Sequence, residues 1–515
     1  MSEVYSYDRV PYPTNDFPQT GPDRLATIAT IFGLTPADPQ HCRVMELGSG
    51  TGANLISFAY TLPESEFVGV DLSIVQTEEA KRAATKIGLN NAAFHHGNIM
   101  DPAFEELGEF DYIIAHGLYS WVPEVVRERI LEIYAKCLSP SGIGYISYNA
   151  LPGWHTRSII RELMIYHTSS IEDPLTRVDE AVKIVGFMTD TAKPGTRYHD
   201  ILKYERDSIA NRARQSLLHD VMETDNNPFY LHQFIEQIGR HGLQYIAEAE
   251  PIDLFEDDLE PDVLKVLNEI GQDPIRRQQY VDFVRACRFR CSLICRDGLK
   301  VERTLDPRIV EKLFIAGFIE AETDEIEITD ASPAKFCGPG PRNAKFGTNH
   351  PLSKAALVFL NKQWPKSVSF KELSGYLREV FKTMDESEFE VEILQLKGFL
   401  LHLFKAEIIR FHSFQPKLSC AVNQYPKVSE YVRWQVSNES KTVTTPAGVN
   451  MEIEDEMVRA MLVLLDGSRD RETLLRDLTD AAEGSDAAKD DLRAALSSQI
   501  DAKLSSIAKA GMFVK

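Results

Sequence analysis

The segment RVMELGSGTGANL, residues 43–55, constrains the fold more than any other part of the chain. Residues 43–47 read as a buried strand, Gly48, Gly50 and Gly52 fall in the turn that follows, and Ala53 opens an apolar helical pattern. A strand can pass this directly into a helix only if the backbone between them turns sharply, and glycine does so with no Cβ in the way. Short apolar runs near 67–71, 93–97, 110–115 and 143–148 alternate with helical patterns, notably at 73–87 and 123–137. That alternation predicts a doubly wound, Rossmann-like α/β domain whose parallel sheet is covered on both faces. Ligands of such sheets bind outside the carboxyl ends of the strands, so those ends hold the residues to examine.

Asp71 closes the second strand, 23 residues after Gly48. A carboxylate at that place accepts hydrogen bonds from ribose hydroxyls. Gly48, Gly50 and Ala53 also satisfy the dinucleotide pattern G-x-G-x-x-G/A, so the glycines alone leave a nicotinamide cofactor open. Glu46 separates the two: its carboxylate suits the cationic methionine end of S-adenosyl-L-methionine and would repel a pyrophosphate. Asn98 and Ile99, after the third strand, suit the edge and face of an adenine. Ser49, Asn54, Leu72 and His116 complete the strand-end set. The proline-rich opening PYPTNDFPQTGP carries Tyr12, Phe17, Gln19 and Thr20 and reads as a cover lying over the domain, with Gln19 and Thr20 joining the donor-binding residues.

The motifs ELGSGTG, VGVD, GNI and FDYIIAHGLYSWVP resemble those of class I methyltransferases, across residues 1–150. YDRVPYPTNDFPQTGPDRLATIATIFGL, SYNALPGWH and SLLHDVMETDNNPFYLHQFI carry a narrower likeness. They resemble bacterial methyltransferases with a methyltransferase regulatory domain, including rickettsial enzymes that methylate lysines of outer-membrane protein B. The likeness fades near residue 300. It implies a protein acceptor with accessible lysines, a helical part involved in dimerisation, and a middle and a carboxyl-terminal domain around an open cavity.

The expected organisation is a core at 1–155, a helical insertion at 156–227, completion of the sheet by 228–298, and winged-helix-like domains at 299–420 and 421–515. Residues 201–222 read as one helix, and 331–350, rich in proline and glycine, as a linker. Residues 299–515 are expected to position the acceptor and to leave donor binding alone.

Aromatic residues gather near the ends of the fourth and fifth strands. Tyr119, Trp121, Tyr148 and Trp154 are candidates for a slot around a lysine stem and its methylammonium product, with packing as their plain alternative. Tyr119 and His116 are candidates for handling the proton, and His219, beside Asp220, for accepting it. The residues His116-Gly117-Leu118-Tyr119 replace the Asn/Asp-Pro-Pro-Tyr/Phe of amide- and adenine-directed methyltransferases. Two other readings remain open: a small-molecule acceptor under a helical lid, and a donor-sensing regulator that contacts DNA.

Charge bears on the partner. Lys+Arg number 56 against 77 Asp+Glu, a net −21, which repels phosphate backbones and draws lysine-rich surfaces. No nucleic acid partner and no membrane insertion are expected, and the seven irregularly spaced cysteines resemble reduced, cytoplasmic usage. Cys287, Cys291 and Cys295 fall in or beside FRCSLIC, which reads as a strand, so buried thiols rather than a metal site are expected.

Overall fold

A computed structural model describes residues 6–13, 15–254, 259–271, 273–323, 326–338, 345–418, 422–481 and 486–514; Cys420 lies outside them. Seven strands make one sheet: β1 Arg43–Leu47, β2 Glu66–Asp71, β3 Ala92–His96, β4 Phe110–Ala115, β5 Leu138–Asn149, β6 Leu243–Glu248 and β7 Phe289–Arg296. Their order is β3-β2-β1-β4-β5-β7-β6. The first five run parallel, and β7 enters antiparallel between β5 and β6. β1 and β4 are buried along almost their whole length, as expected of parallel strands covered on both faces. The order reverses between β1 and β4, so the crevice outside their carboxyl ends is where a ligand fits.

Five helices intervene between β5 and β6; besides Leu231–Gly239, which packs against the sheet, there are Trp154–His167, Pro174–Thr191, Arg197–Ile209 and Arg214–Val221. These four enclose a core of their own, with Ile160, Met164, Val178, Leu202 and Leu217 buried. The single helix expected over 201–222 is two. The chain breaks at 210–213 and folds back, which brings Arg212 into an ion pair with Asp220.

The region expected to be a linker holds two antiparallel strands, Ala334–Cys337 and Lys345–Thr348. Period-two burial explains them: Ala334 and Phe336 turn inward, and Phe336 stacks on Phe346. A second small sheet, built from Phe314–Ala316, Val368–Ser369 and Arg410–His412, packs with the helices Pro351–Gln363, Phe370–Val380 and Glu386–Lys405. One apolar cluster runs unbroken from Leu25 and Ile28 of the helix Pro22–Ile31 into Ile315, Leu357, Phe404 and Phe411. The carboxyl-terminal helices Glu456–Leu464, Arg471–Ala481 and Asp486–Lys509 belong to a separate cluster. No helix of the described residues is long and apolar enough to cross a membrane.

Cys291 and Cys295 lie buried in β7, and burial pushes the Cys295 thiol up to about 12. On the same strand Arg290 is buried between two carboxylates. Its Nη1 donates to Glu248 at 2.6 Å, and its Nη2 and Nε donate to Asp282 at 2.7 and 3.0 Å. This cluster ties β6 and β7 to the helix Pro274–Arg285. Arg290→Leu strands both carboxylates in the interior, so urea unfolding should show a loss of about 3–5 kcal/mol. A loss under about 1 kcal/mol would mean that the cluster does not hold the sheet edge.

Candidate active site

The glycine turn sets the floor of the site. Gly48, Gly50 and Gly52 all have positive φ, at 73°, 52° and 72°. A Cβ on Gly52 would sit 2.5 Å from the Phe94 ring, so that position admits no side chain. The Gly48 and Ser49 amides donate to the Val70 carbonyl at 2.8 and 3.1 Å, which docks the turn on β2. Asp71, at the end of β2, accepts the Gly50 amide on Oδ2 and the Ser73 amide on Oδ1, each at 2.8 Å. Burial raises its pKa against the pull of those two amides.

Beside the turn, Asn54 ties three elements together. Its Nδ2 donates to Glu46 Oε1 at 2.9 Å and to Thr20 Oγ1 at 2.8 Å, and its Oδ1 accepts the Phe17 amide at 3.0 Å. Glu46 is buried, and its second oxygen, Oε2, has no partner. Burial pushes its carboxyl up to about 8, with the charges of Asp71 and Asp16 adding to the effect. A buried acceptor with nothing donating to it carries a cost that a ligand cation or donor would relieve.

The amino-terminal segment crosses this site as a strap, and the far domain holds it. Asp16 accepts Tyr431 Oη, Gln435 Nε2 and Thr444 Oγ1, while Asn450 Nδ2 donates to its carbonyl. Next to it Phe17 packs on His116, with ring centroids 4.0 Å apart. Residues 431–450 thus grip the segment that covers the donor site, a contact that the expected division of labour at residue 298 did not include. Asp16 carries no motif, and its role depends on a partner more than 400 residues away in sequence.

A cavity of about 810 Å³ opens over these residues. Glu46, Gly48, Ser49, Gly50, Asn54, Asp71, Leu72, Asn98, Ile99, His116, Trp154 and His219 all line it. It runs past the ends of β1 and β4 to the helices that follow β5. Trp121 and Trp154 meet edge to face there, with centroids 5.9 Å apart. His116 bonds through Nδ1 to Tyr145 Oη at 2.9 Å, and burial pushes its pKa down to about 4, so it stays neutral.

Other candidates lie elsewhere. Thr20 is fully buried behind the site as a partner of Asn54, and neither it nor Gln19 lines the cavity. Gly52 supports the turn from behind. Tyr119 is buried in the core, where its hydroxyl donates to Gln237 Oε1 at 2.7 Å and its ring packs on Phe229 and Phe234. Tyr148 is buried and stacks on Phe234 at 4.4 Å. Tyr148 turns into the layer under β5 because alternate residues of a strand face opposite sides, and Tyr119, in the short helical turn after β4, packs into the same layer. His219 reaches the cavity with both nitrogens engaged, Nδ1 with Glu223 and Nε2 with the Val10 carbonyl, each at 2.7 Å. It braces the strap and has no ring nitrogen left to accept a proton.

Comparison with known proteins places this geometry. A methyltransferase domain model matches residues 44–142, a predicted methyltransferase regulatory domain matches 213–296, and a PKMT carboxyl-terminal winged-helix domain matches 424–512. PKMT2 from Rickettsia typhi, solved in complex with AdoHcy, superposes with a TM-score of 0.86 at 25% identity, covering 98% of this chain and all of that one. Fold, site and matches together define a class I, S-adenosylmethionine-dependent methyltransferase. The Rickettsia prowazekii protein RP789 is 32% identical over 479 residues, 91% of this chain and 84% of its own, and RP028 of the same organism is 39% identical over 233 residues, 45% of this chain and 93% of its own. The chain belongs to their family, the methyltransferases that carry a regulatory domain.

Two measurements test the site. Below about pH 8 the buried Glu46 carboxyl holds a proton that it must release to pair with a cation. S-adenosylmethionine binding should therefore release a proton near neutral pH and tighten as pH rises toward 8, seen by calorimetry in buffers of different ionisation enthalpy. Because the folded pKa lies above the ordinary value of ~4.3, ionised Glu46 costs the ligand-free fold stability as pH rises from there through 8. Glu46→Gln should abolish the release, weaken binding and raise the melting temperature at pH 8. Proton-neutral binding by the wild type would remove Glu46 from donor recognition. Tyr119→Phe, in turn, leaves Gln237 without its donor and should cost about 1–3 kcal/mol of stability with methyl transfer unchanged. A tenfold slower single turnover with unaltered stability would return Tyr119 to the chemistry.

Proposed function

We propose that the chain transfers methyl groups to lysine side chains of proteins in the cytoplasm. The observation that carries this reading is the continuity of the donor site with a wall of Trp121, Trp154, Glu223 and Asp225 in one cavity. Two indoles and two carboxylates suit an aliphatic stem that ends in an ammonium group. The net charge of −21 draws lysine-rich surfaces toward the chain, and the likeness to the rickettsial PKMT2 supports a protein acceptor.

In this reading Asp71 takes the ribose hydroxyls. A carboxylate offers about four lone-pair sites, and two amides leave room for two hydroxyls. Asn98 and Ile99 hold the adenine, and Glu46 Oε2 takes the methionine ammonium. S-adenosylmethionine supplies the methyl group and a neutral sulfide leaving group. The lysine amine, having given its proton to water, attacks the methyl carbon in line as the carbon–sulfur bond breaks. The protein's contribution is alignment and exclusion of water, which turns an encounter of two molecules into a reaction within one complex. A neutral His116 serves this better than a charged one, since a second cation beside the sulfonium would repel the substrate ammonium before it deprotonates. The free cysteines suit a reducing compartment. A homodimer through residues 156–227 is supported by the exposed Tyr166, Phe187 and Tyr204 on those helices.

Incubation with heavy-methyl donor and a bacterial proteome, followed by mass spectrometry, should find the label on lysine Nζ. The single-turnover rate should climb from neutral to alkaline pH until the bound lysine's lowered pKa is passed. Trp154→Ala should raise the acceptor KM at unchanged donor affinity. Label confined to small molecules, with none on lysine, would overturn the proposal.

A further inference from the structure

The strap separates two cavities. In extended chain, successive residues face opposite sides. Asn15 and Phe17 accordingly line the donor cavity, whereas Asp16 and Pro18 line a second one, of about 400 Å³. That second cavity lies where three parts of the chain meet. Arg24 and Phe58 come from the methyltransferase domain, Arg410 and Phe411 from the middle domain, and Thr445 to Gly448 from the carboxyl-terminal domain.

The charges in its wall do not balance locally. Every carboxylate lining it is engaged: Asp16 by Tyr431, Gln435 and Thr444, Asp23 by His412 and Ser413, and Glu64 by His41 at 3.3 Å. The two arginines are not. Among the described residues neither Arg24 nor Arg410 forms an ion pair with a carboxylate. Arg24 stands with its guanidinium carbon 5.9 Å from the Phe404 ring centroid, and its buried Nη1 has no acceptor. Arg410 commits only Nη1, to the carbonyls of Ala447 and Gly448 at 3.2 and 3.4 Å. Burial, and then the like charge of Arg24, push the Arg410 pKa down to about 10 against the opposing charge of Glu407, and Arg24 in turn feels Glu250, though neither carboxylate bonds to a guanidinium. Two guanidinium groups lining one cavity, with donors unspent, form the array that binds oxyanions.

We propose that this interdomain cavity binds a small molecule through its carboxylate or phosphate group, held between Arg24 and Arg410, with its apolar part against Phe58, Phe411 and Phe414. The volume falls in the range of small-ligand pockets. No step of methyl transfer uses these residues, so the site is separate from donor and acceptor. Its occupant would bridge all three domains on the outer side of the strap.

Calorimetry on the full chain with inorganic phosphate and with citrate, at constant ionic strength, tests the site and tells the two anion chemistries apart. Saturable binding of one anion per chain is expected for at least one probe. Arg24 has no protein acceptor to lose, so Arg24→Met should fold, bind AdoHcy as the wild type does, and bind the anion at least about tenfold more weakly. Arg410→Met should weaken it likewise. A crystal grown with the binding anion should place it between the two guanidinium groups, whatever the variants do. The proposal fails if neither probe saturates below ~10 mM, if both variants bind as the wild type does, or if the anion lies elsewhere.

Discussion

The side-chain amide of Asn54 is the contact on which the rest of the site depends. It spends both kinds of hydrogen-bonding capacity at once, donating to Glu46 and Thr20 and accepting from Phe17. In water such an amide gains little from protein partners, because water serves as well. Buried, it has no such alternative, and each bond it makes fixes the partner in place. Through it the strand that carries Glu46, the helix that follows the glycine turn and the strap over the site become one rigid unit. One oxygen of Glu46 is thereby held and the other is left open toward the ligand space.

This rigidity extends beyond the methyltransferase domain. The bonds from Tyr431, Gln435, Thr444 and Asn450 to Asp16 lie directly beside the Phe17 amide that Asn54 accepts, so the carboxyl-terminal domain grips the strap from the opposite side. The Tyr431 hydroxyl also donates to the Ala53 carbonyl at 3.3 Å, at the start of the helix that carries Asn54. The unbroken apolar cluster from Ile28 to Phe411 joins the middle domain to the same body. The later domains thus frame the donor site as well as any acceptor path.

Local pattern made the sheet legible. Apolar runs with glycine punctuation placed the first five strands and β7 to within a few residues, except that β5 begins at Leu138, five residues before its predicted start. The positions of Glu46, Asp71 and the glycine turn at the strand ends were readable because one strand–helix–strand unit, β1 to β2, sets their spacing. Tyr119 and Tyr148 take the packing alternative, which the sequence left open because nearness to a strand end says nothing about which face a ring takes. The strands at 334–337 and 345–348 were hidden by surrounding prolines and glycines, although Ala334 and Phe336 already alternate with polar neighbours. Asp16, Tyr431 and Arg410 left no trace, because their meaning lies in contacts across hundreds of residues, which periodicity does not report.

The claim that a buried, half-satisfied Glu46 recognises the donor is tested most directly by a crystal structure of this chain with AdoHcy. The methionine ammonium should lie within hydrogen-bonding distance of Glu46 Oε2, with Asn54 still bonded to Oε1 and Phe17 still covering His116. An ammonium bound elsewhere, with Glu46 Oε2 still unpartnered beneath the ligand, would contradict it.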